Sequence, residues 1–527
     1  MRRTVAPVIA LAVAAIGWGT TLYAQGQAGG SWTIAIPEEP DTLDPQKTGA
    51  AVAAAIFQLV GQPLLAHDFS NRVVAGLAES WTISGDGLVW TFRLKTGAMF
   101  QDGTPVTAQA VKASIERALA PETKSPVAKA QLGPVKAIEA VDARTLRLTL
   151  KEPFAPLLNN LTDPRLSPIS VKAADAAGTG FGRAPVSDGP YKVKEWASGH
   201  HITLVRDPAF AWGPPYMHHG PAYIEQVTYR IITDSATQVA AFESGEVSQL
   251  GLPSHDVNRL LATKKYQIFK FLRKGVGLFL EFNVKREPWS DLRLRQAMNY
   301  AINKDVLVKV VLEGQGEPAY GPLPPSIWGY WPGIVAYAPH YDPAKAKRLF
   351  AEAGYAPGPD GVLQKGGRPL AFTLFSTPSD TSVRSAQLVQ ANLLSFGVKM
   401  DIQTFEFGTL LDRLKKGDQQ AEFMGYTYNE PDIMYIWFDS ANIGSGLNFS
   451  HDADPKLDAL IDAARRATNP AKRAALYVDL QKYVVDQALW VPLWTNYNYI
   501  ALQSVIKDAR IHPDGYVFLG DAYLTKR

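Results

Sequence analysis

The 527-residue chain contains no cysteine. This absence excludes disulfide bonds, metal sites built on thiolates and cysteine nucleophiles. It also excludes the lipid-bearing cysteine that anchors many exported proteins to a membrane. Because 46% of the residues are hydrophobic and 20% are charged, we expect most of the chain to fold around cores held by non-covalent packing.

A strong net charge is also missing. The chain has 53 basic and 50 acidic residues, which gives a formal charge of +3. Residues 1–24 carry two arginines and no acid, so a chain without them has a charge of +1. Such a near-neutral protein has no electrostatic footprint for nucleic acid or for an anionic membrane. We therefore expect no nucleic-acid partner.

After the N-terminus, the chain has no hydrophobic run of the length that a membrane span requires. Residues 1–24 combine Arg2 and Arg3 with an apolar run from Ala6 to about Trp18 and a small residue at Ala24. This is the layout of a cleavable secretory signal peptide, and an uncleaved anchor is the alternative. Together with the missing lipid-bearing cysteine, the segment predicts a freely diffusing periplasmic protein.

Sequence motifs of several enzyme classes are missing as well. The chain has no G-x-S-x-G, H-E-x-x-H or Walker sequence. His200-His201 and Met217-His218-His219 are weak metal candidates, because adjacent histidines point in different directions on most backbones. Gly178–Gly182 resembles a piece of a phosphate loop, but no lysine follows it. We predict no enzyme activity, no metal and no cofactor, and keep a secreted hydrolase as an alternative from another class.

The chain does contain an alternation of short strand patterns and capped helices, which favours an α/β fold. Residues 88–94 alternate between apolar and polar, as in a half-buried strand, and Ser84–Gly87 suits the tight turn before it. Thr107 is placed to cap the helix that follows. Three later helices are predicted to begin at Ser290, Asp342-Pro343 and Asn469-Pro470.

These patterns occur together with several short sequence motifs, and the order of the whole set along the chain is specific to one family. Ala78-Glu79-Ser80-Trp81 and Asp102-Gly103-Thr104-Pro105 lie within the segment from Gly76 to Leu119. Further motifs are Leu43-Asp44-Pro45, Ser187–Tyr191, Phe242–Val247, Asp291–Ile302, Tyr341–Tyr355 and Leu457–Tyr477. In this order they resemble the extracellular solute-binding proteins, family 5, which serve ABC importers of dipeptides, oligopeptides and nickel.

The resemblance implies an α/β clam of the type II-like periplasmic-binding-protein class, with mixed sheets, a hinge and an extra subdomain. Lobe I would comprise residues 31–75, 186–282 and 500–527, the inserted subdomain 76–185, and lobe II 283–499. A small-molecule or peptide-like ligand would be enclosed between the lobes and delivered to ABC permease subunits in the inner membrane. The resemblance also implies a monomer, and a solute sensor of the same fold is an alternative.

The implied ligand site draws on the segment after Leu43-Asp44-Pro45, on hinge-proximal strands and on a lobe II loop at residues 425–437. The candidate residues are Gly49, Ala51, Asn283, Tyr426, Thr427, Tyr428, Asn429, Glu430, Asp432, Trp437 and Asn448. Small residues would let a ligand approach the backbone, and aromatic rings would add apolar area. The alternatives are that the aromatics belong to the core, that the acids cap the next helix, which we favour, and that the asparagines satisfy backbone groups.

One departure from the family pattern concerns the charge of this loop. Peptide-binding members place an aspartate a few residues before the acid-proline word, where it pairs with the α-ammonium of the ligand. Ungapped alignment on Asn429-Glu430-Pro431 puts Thr427 there, and a short deletion is the other alignment. A buried ammonium without a partner costs about 5 kcal/mol or more. Peptide-like, oligosaccharide-like and other modified organic solutes therefore all stay open as ligands.

Overall fold

A computed structural model describes residues 28–525, so the predicted signal peptide at 1–24 lies outside the described residues. The described strands, β1 to β25 in chain order, are Ser31–Ile36, Leu65–His67, Val73–Ala75, Ala78–Ile83, Val89–Leu94, Val135–Ala140, Thr145–Leu150, Tyr191–Ala197, His201–Arg206, Gln226–Ile231, Gln249–Gly251, Gln267–Leu272, Leu278–Phe282, Gly316–Pro318, Ala356–Pro357, Leu363–Lys365, Arg368–Pro369, Ala371–Ser376, Lys399–Thr404, Ala421–Met424, Trp490–Leu502, Ile506–Lys507, Arg510–Ile511, Val517–Phe518 and Tyr523–Leu524.

The helices within residues 28–525, α1 to α16 in chain order, are Ala51–Val60, Ala108–Leu119, Ala128–Leu132, Leu157–Asn160, Val171–Ala177, Ser235–Glu243, Ser254–Thr263, Leu292–Ala301, Lys304–Val311, Ile334–Tyr337, Pro343–Glu352, Asp380–Leu394, Phe407–Lys416, Ile433–Phe438, Pro455–Arg466 and Pro470–Asp486. None of these helices combines the length and hydropathy that a membrane crossing requires.

A mixed sheet of twelve strands runs through the described part of the chain. Its path is β19-β18-β20-β13-β21-β11-β1-β10-β9-β8, and β12 and β14 also pair with β21. β1 pairs with β10 in parallel, β18 pairs with β19 in parallel, and β21 is antiparallel to its neighbours. One core surrounds β13, β18 and β20, and a separate core surrounds β1, β9 and β10. The prediction of an α/β fold with mixed sheets is confirmed.

Strand β21 joins the two halves of this sheet. The first part of its 13 residues pairs with β13 and β14, and its last part pairs with β11. The short segment at residues 273–277, between β12 and β13, is a second crossing between the halves. The expected boundaries at 282/283 and 499/500 lie close to these two crossings, and the division into lobes at those residues stays a prediction.

The segment predicted as an inserted subdomain contains a sheet of its own, with the strand order β4-β5-β7-β6. The predicted alternation in residues 88–94 is confirmed, since Trp90, Phe92 and Leu94 are buried in the core beneath this sheet. The predicted turn is present too, because the Gly87 amide donates to the Ser84 carbonyl at 2.8 Å. Phe210 and Phe518 belong to the same core, so this segment packs onto residues that the sequence analysis predicts to be part of lobe I.

Most of the predicted helix starts are confirmed by cap hydrogen bonds. The side chain of Thr107 accepts from an amide in the first turn of α2, and Asp342 and Asn469 do the same for α11 and α16. The prediction for Ser290 is wrong. The Asp291 carboxylate caps α8 by accepting from the Arg293 amide at 2.9 Å, and the Ser290 hydroxyl instead donates to Glu287 at 2.7 Å.

Two glutamates face each other across the pairing of β13 with β20. Glu281 in β13 and Glu422 in β20 are direct partners in the antiparallel register, and both are fully buried. Within residues 28–525, none of their four carboxyl oxygens has a hydrogen-bond partner. Burial raises the pKa of Glu281 to about 8, and burial together with the neighbouring Glu281 raises the pKa of Glu422 well above its usual value. Glu281 is therefore largely protonated at neutral pH, and the raised pKa of Glu422 favours its protonated form as well.

We predict that the free energy of unfolding falls as the pH rises from about 4.5 to about 8 because of this pair. The folded protein keeps these protons, whereas the unfolded chain releases them above the ordinary pKa of glutamate. The stabilisation is complete below about pH 4.5 and is lost as the pH rises through the folded pKa. Each group contributes a slope of up to about 1.4 kcal/mol per pH unit.

Urea denaturation across this pH range tests the prediction. Glu422→Gln, which cannot ionise, is expected to flatten the decline relative to the wild type. Glu139→Gln is the matched control, because its side chain is 53% exposed in a pair with Arg147. An unchanged slope in Glu422→Gln would show that the buried pair does not control the pH dependence.

Candidate ligand-binding cleft

The loop that begins at Gly425 is paired with the crossing at residues 273–277. The Tyr426 amide donates to the Val276 carbonyl at 3.0 Å, and the Tyr428 amide donates to the Lys274 carbonyl at 2.8 Å. These bonds extend the pairing of β13 with β20 toward lobe I. Gly275 has φ +149°, and a Cβ there would lie 1.9 Å from the Tyr426 carbonyl oxygen, so the close approach of the two segments requires glycine.

Two of the predicted aromatic contacts lie in the core of lobe II. Tyr426 is 6% exposed, and its hydroxyl donates to the Pro322 carbonyl at 2.5 Å. Trp437 is 1% exposed and packs edge-on against Phe279 and Trp490, with ring centroids 5.1 and 5.4 Å away. The packing of both rings is that of core residues, the alternative kept in the sequence analysis, and their contact with a ligand stays a prediction.

The two acids of the loop form ion pairs with later helices. Glu430 pairs with Arg473 of α16, and both side chains are buried. Asp432 pairs with Arg465 of α15 at 2.9 Å. Burial raises the pKa of Asp432 to about 7, although the adjacent Arg465 guanidinium opposes this rise. Asp432, the residue directly before α14, makes no side-chain cap hydrogen bond, so the preferred capping interpretation is wrong for it. The Glu430 carboxylate accepts from the Asp432 amide at the start of this helix, as the capping interpretation expects.

The two predicted asparagines are both buried. Asn283 donates to the Gly417 carbonyl at 3.4 Å, and its own oxygen accepts from the Lys285 amide at 3.0 Å. The side-chain amide of Asn448 donates to the backbone carbonyls of Phe438, Asp439 and Asp452. Both side chains therefore satisfy backbone groups, and a ligand contact from either one stays a prediction.

Three loop residues lie where the two lobes face each other. Thr427 is exposed, and its hydroxyl accepts from Nε of Arg273 at 2.7 Å. The backbone carbonyl of Asn429 accepts a hydrogen bond from the side-chain amide of Asn159 at 3.4 Å. Burial raises the pKa of the Tyr428 phenol, the charges of Asp432, Glu430 and Asp163 raise it further, and the charge of Arg165 opposes this rise. These residues are the part of the predicted site that the structure brings together.

Arg165 lies close enough to Tyr428 for its charge to act on the pKa of that phenol, and it also contacts Gly49. The Gly49 carbonyl accepts from Nη1 of Arg165 at 3.2 Å, and two nitrogens of Arg165 bind the Asp163 carboxylate at 3.0 and 2.7 Å. Gly49 is exposed, and Ala51, the first residue of α1, is exposed as well. The predicted small residues thus lie beside a basic group that the sequence analysis did not identify.

The inserted segment contacts α15 directly. The Ala155 amide donates to the Arg465 carbonyl at 2.7 Å, and Glu152 pairs with Arg466 at 3.0 Å. The Phe154 ring lies 5.4 Å from the Arg465 guanidinium. These contacts join the inserted segment to α15.

A buried charge cluster lies behind the crossing. The Asp514 carboxylate accepts from Nζ of Lys274 at 2.6 Å and from the His67 ring at 3.2 Å. Burial would raise the pKa of Asp514, but hydrogen bonds from His512 and His67 and the charge of Lys274 hold it well below its usual value. The sequence signal for this region was a pair of basic residues, Arg273 and Lys274, directly before Gly275. The sequence analysis did not use this signal.

Comparison with known proteins assigns the chain to a family. Residues 72–445 match the family described as bacterial extracellular solute-binding proteins, family 5 Middle. The chain belongs to this family. The predicted family is therefore confirmed, and so is the predicted general function as a solute-binding protein of the ABC importer class. The proteins it resembles are named for binding rather than for catalysis.

Individual relatives are similar to this chain over most of its length. The glutathione-binding protein GsiB of Salmonella typhimurium is 30% identical over 498 residues, which cover 91% of this chain and 92% of GsiB. The structure of NikA from Brucella suis in complex with Fe(III)-EDTA is 25% identical, has a TM-score of 0.83, and covers 94% of this chain and 100% of its own.

A third relative is DppA from Helicobacter pylori, a periplasmic binding protein solved in complex with the peptide STSA. It is 28% identical with a TM-score of 0.74, over 95% of this chain and 99% of its own. These structural matches confirm the predicted fold class, a two-lobed periplasmic-binding-protein clam with mixed sheets.

We predict that Glu430→Gln lowers the free energy of unfolding by about 3–5 kcal/mol, because it leaves Arg473 buried without a counter-ion. Urea denaturation at neutral pH measures this change. Glu152→Gln is the control, since it breaks an exposed pair and should cost about 1 kcal/mol or less. Equal losses in the two variants would contradict the assignment of Glu430 to a buried ion pair.

Proposed function

We propose that the chain is the periplasmic substrate-binding protein of an ABC importer for a peptide-like solute, with small tripeptides of the glutathione type as the first candidates. The observation that carries this proposal is the pairing of the loop at 425–430 with the crossing at 273–277. This pairing fixes Thr427 and Tyr428 at the crossing, and Arg165, which contacts Gly49, lies close enough to act on the pKa of the Tyr428 phenol. The names of the glutathione-binding and peptide-bound relatives support the ligand class.

The placement of the aromatic rings favours a peptide-like ligand over an oligosaccharide. Sugar binding would use several rings as flat platforms. Tyr426 and Trp437 are in the core, and the Arg465 guanidinium covers the ring of Tyr435 at 3.6 Å. Among the loop residues predicted to touch ligand, Tyr428 is the aromatic residue that remains half-buried beside the cleft. The aromatic residues of the loop are therefore weaker support for a sugar ligand than the sequence suggested.

The mechanism we propose is a shift of population between open and closed forms. A ligand that contacts both walls binds the closed form more tightly and so favours closure. The contacts of Glu152 and Ala155 with α15 would form at the same time. The closed protein, a monomer with lobes bounded as the sequence predicts, would then deliver the solute to permease subunits in the inner membrane. No bond of the solute needs to break, so no catalysis is proposed.

Binding of a defined peptide panel tests this function. We expect glutathione and unmodified tripeptides to raise the melting temperature and to reduce the radius of gyration measured by small-angle X-ray scattering. At a ligand concentration of about 100 Kd the stabilisation would be about 2.7 kcal/mol. A panel without any stabilising member, together with an unchanged scattering radius, would overturn the peptide-like assignment.

The same panel applied to variants locates the site. Tyr428→Ala is expected to weaken binding by roughly tenfold, because it removes an aromatic contact between the walls. Tyr341→Ala is the control, since Tyr341 is 43% exposed and lies outside the loop at 425–437. Titration calorimetry measures both, and equal affinities for the two variants would place the ligand elsewhere.

A further inference from the structure

The guanidinium of Arg273 lies beside Thr427, the residue that the ungapped alignment on Asn429-Glu430-Pro431 matches to the aspartate of the family pattern. We propose that Arg273 binds a carboxylate, or a chemically equivalent anionic group, of the ligand. This end of the cleft would then select an anion instead of the ammonium group that an aspartate selects. The inference rests on the proposed function in one respect, namely that the ligand binds between the lobes.

Hydrogen bonds hold Arg273 in place. Its amide donates to the Asn496 carbonyl at 3.1 Å, and its carbonyl accepts from the Ser326 hydroxyl at 2.5 Å and from the Gly275 amide at 3.0 Å. Its Nε donates to the Thr427 hydroxyl at 2.7 Å. The side chain therefore starts from a fixed backbone in the crossing and ends at the ligand loop of lobe II.

The guanidinium has no counter-ion in residues 28–525. No carboxylate oxygen of this part lies within 4.0 Å of it, and Nε is the one nitrogen of its side chain with a hydrogen-bond partner there. An arginine has five N–H donors, so the two terminal nitrogens keep their donors for another group. Burial lowers the pKa of Arg273, as expected for a partly desolvated cation without a carboxylate nearby.

The other basic groups around the cleft do have carboxylate partners. Arg165 binds Asp163 at 2.7 Å, and Lys274 binds Asp514 at 2.6 Å. The remaining pairs are Arg465 with Asp432 and Arg473 with Glu430. These four acids are therefore neutralised within the chain, and none of them is left without a basic partner to receive a ligand ammonium.

The excess charge beside Thr427 is consequently positive. A half-buried guanidinium that lacks a counter-ion is costly, and an incoming carboxylate recovers that cost through two parallel charge-assisted hydrogen bonds. A peptide-like solute supplies such a group at its C-terminus or on an acidic side chain. The ligand class that we infer is a peptide-like solute with an anionic group directed toward the crossing.

The test compares charged and uncharged probes on one pair of variants. The probes are glutathione and a tripeptide with a free C-terminus, the esters and amides of both that lack the carboxylate charge, and succinate as a simple dicarboxylate. Arg273→Gln removes the charge but keeps donors, and Arg147→Gln removes a charge in an exposed pair of the inserted segment. Titration calorimetry gives the dissociation constants, and circular dichroism verifies that both variants fold.

We expect Arg273→Gln to weaken the free-acid probes by roughly 10- to 100-fold and to leave the ester and amide probes nearly unchanged. Arg147→Gln should change neither. Thr427→Asp offers an independent check, because it places a carboxylate beside Arg273 that pairs with the guanidinium. This substitution should weaken free-acid probes as well, whereas a role of Arg273 limited to bracing the loop would leave charged and uncharged probes equally affected.

The outcomes separate this inference from the proposed function. If acids and amides bind alike and Arg273→Gln changes neither, the anion site is wrong while peptide capture stands. If no peptide binds but succinate binds in a manner that requires Arg273, peptide capture is wrong while the anion site stands. If no carboxylate-bearing probe binds the wild type, the anion site is wrong as well.

Discussion

Strand β21 constrains the whole molecule, because both lobes are hydrogen-bonded to the same continuous stretch of backbone. Its 13 residues span about 43 Å, enough to serve the sheets of both lobes. The residues at its two ends are buried, whereas Asn496, Tyr497 and Asn498 in its middle are not. Bending between the two halves of the sheet is therefore easiest at these middle residues, because residues 274–277 of the second crossing are buried.

The position of the ligand loop follows from this constraint. Since Tyr426 and Tyr428 pair with Val276 and Lys274, the loop at 425–430 is attached to the crossing itself. Any change in the angle between the lobes moves the loop and the crossing together. Arg273 lies at this junction, so the charge that we infer to be recognised in the ligand is sensed beside the hinge, where a contact affects both lobes.

The sequence predicted local features well because their causes are local. The strand at 88–94 follows from alternation, and the caps at Thr107, Asp342 and Asn469 follow from side chains that accept from amides a few residues away. Ser290 failed for the same kind of reason, because the next residue, Asp291, is a stronger acceptor. The family and the clam fold were predicted from the order of such words along the chain.

The charges of the cleft could not be predicted in this way, because their partners are distant in sequence. Glu430 and Asp432 look like helix caps until α15 and α16 place Arg465 and Arg473 beside them. The sequence shows that an aspartate is missing at Thr427, but only the fold brings Arg273 to that position. The selectivity for an anionic ligand is inferred from two observations together, the absence of an aspartate at Thr427 and the presence of the Arg273 guanidinium beside it.

Native mass spectrometry of the protein, purified gently from cells grown on peptide-rich medium, tests the central claim most directly. The account predicts one retained small molecule per chain, peptide-like in its fragmentation and with at least one carboxylate, and predicts that it is released on denaturation. A retained sugar, a retained ligand without any anionic group, or a ligand bound at more than one copy per chain would contradict the account.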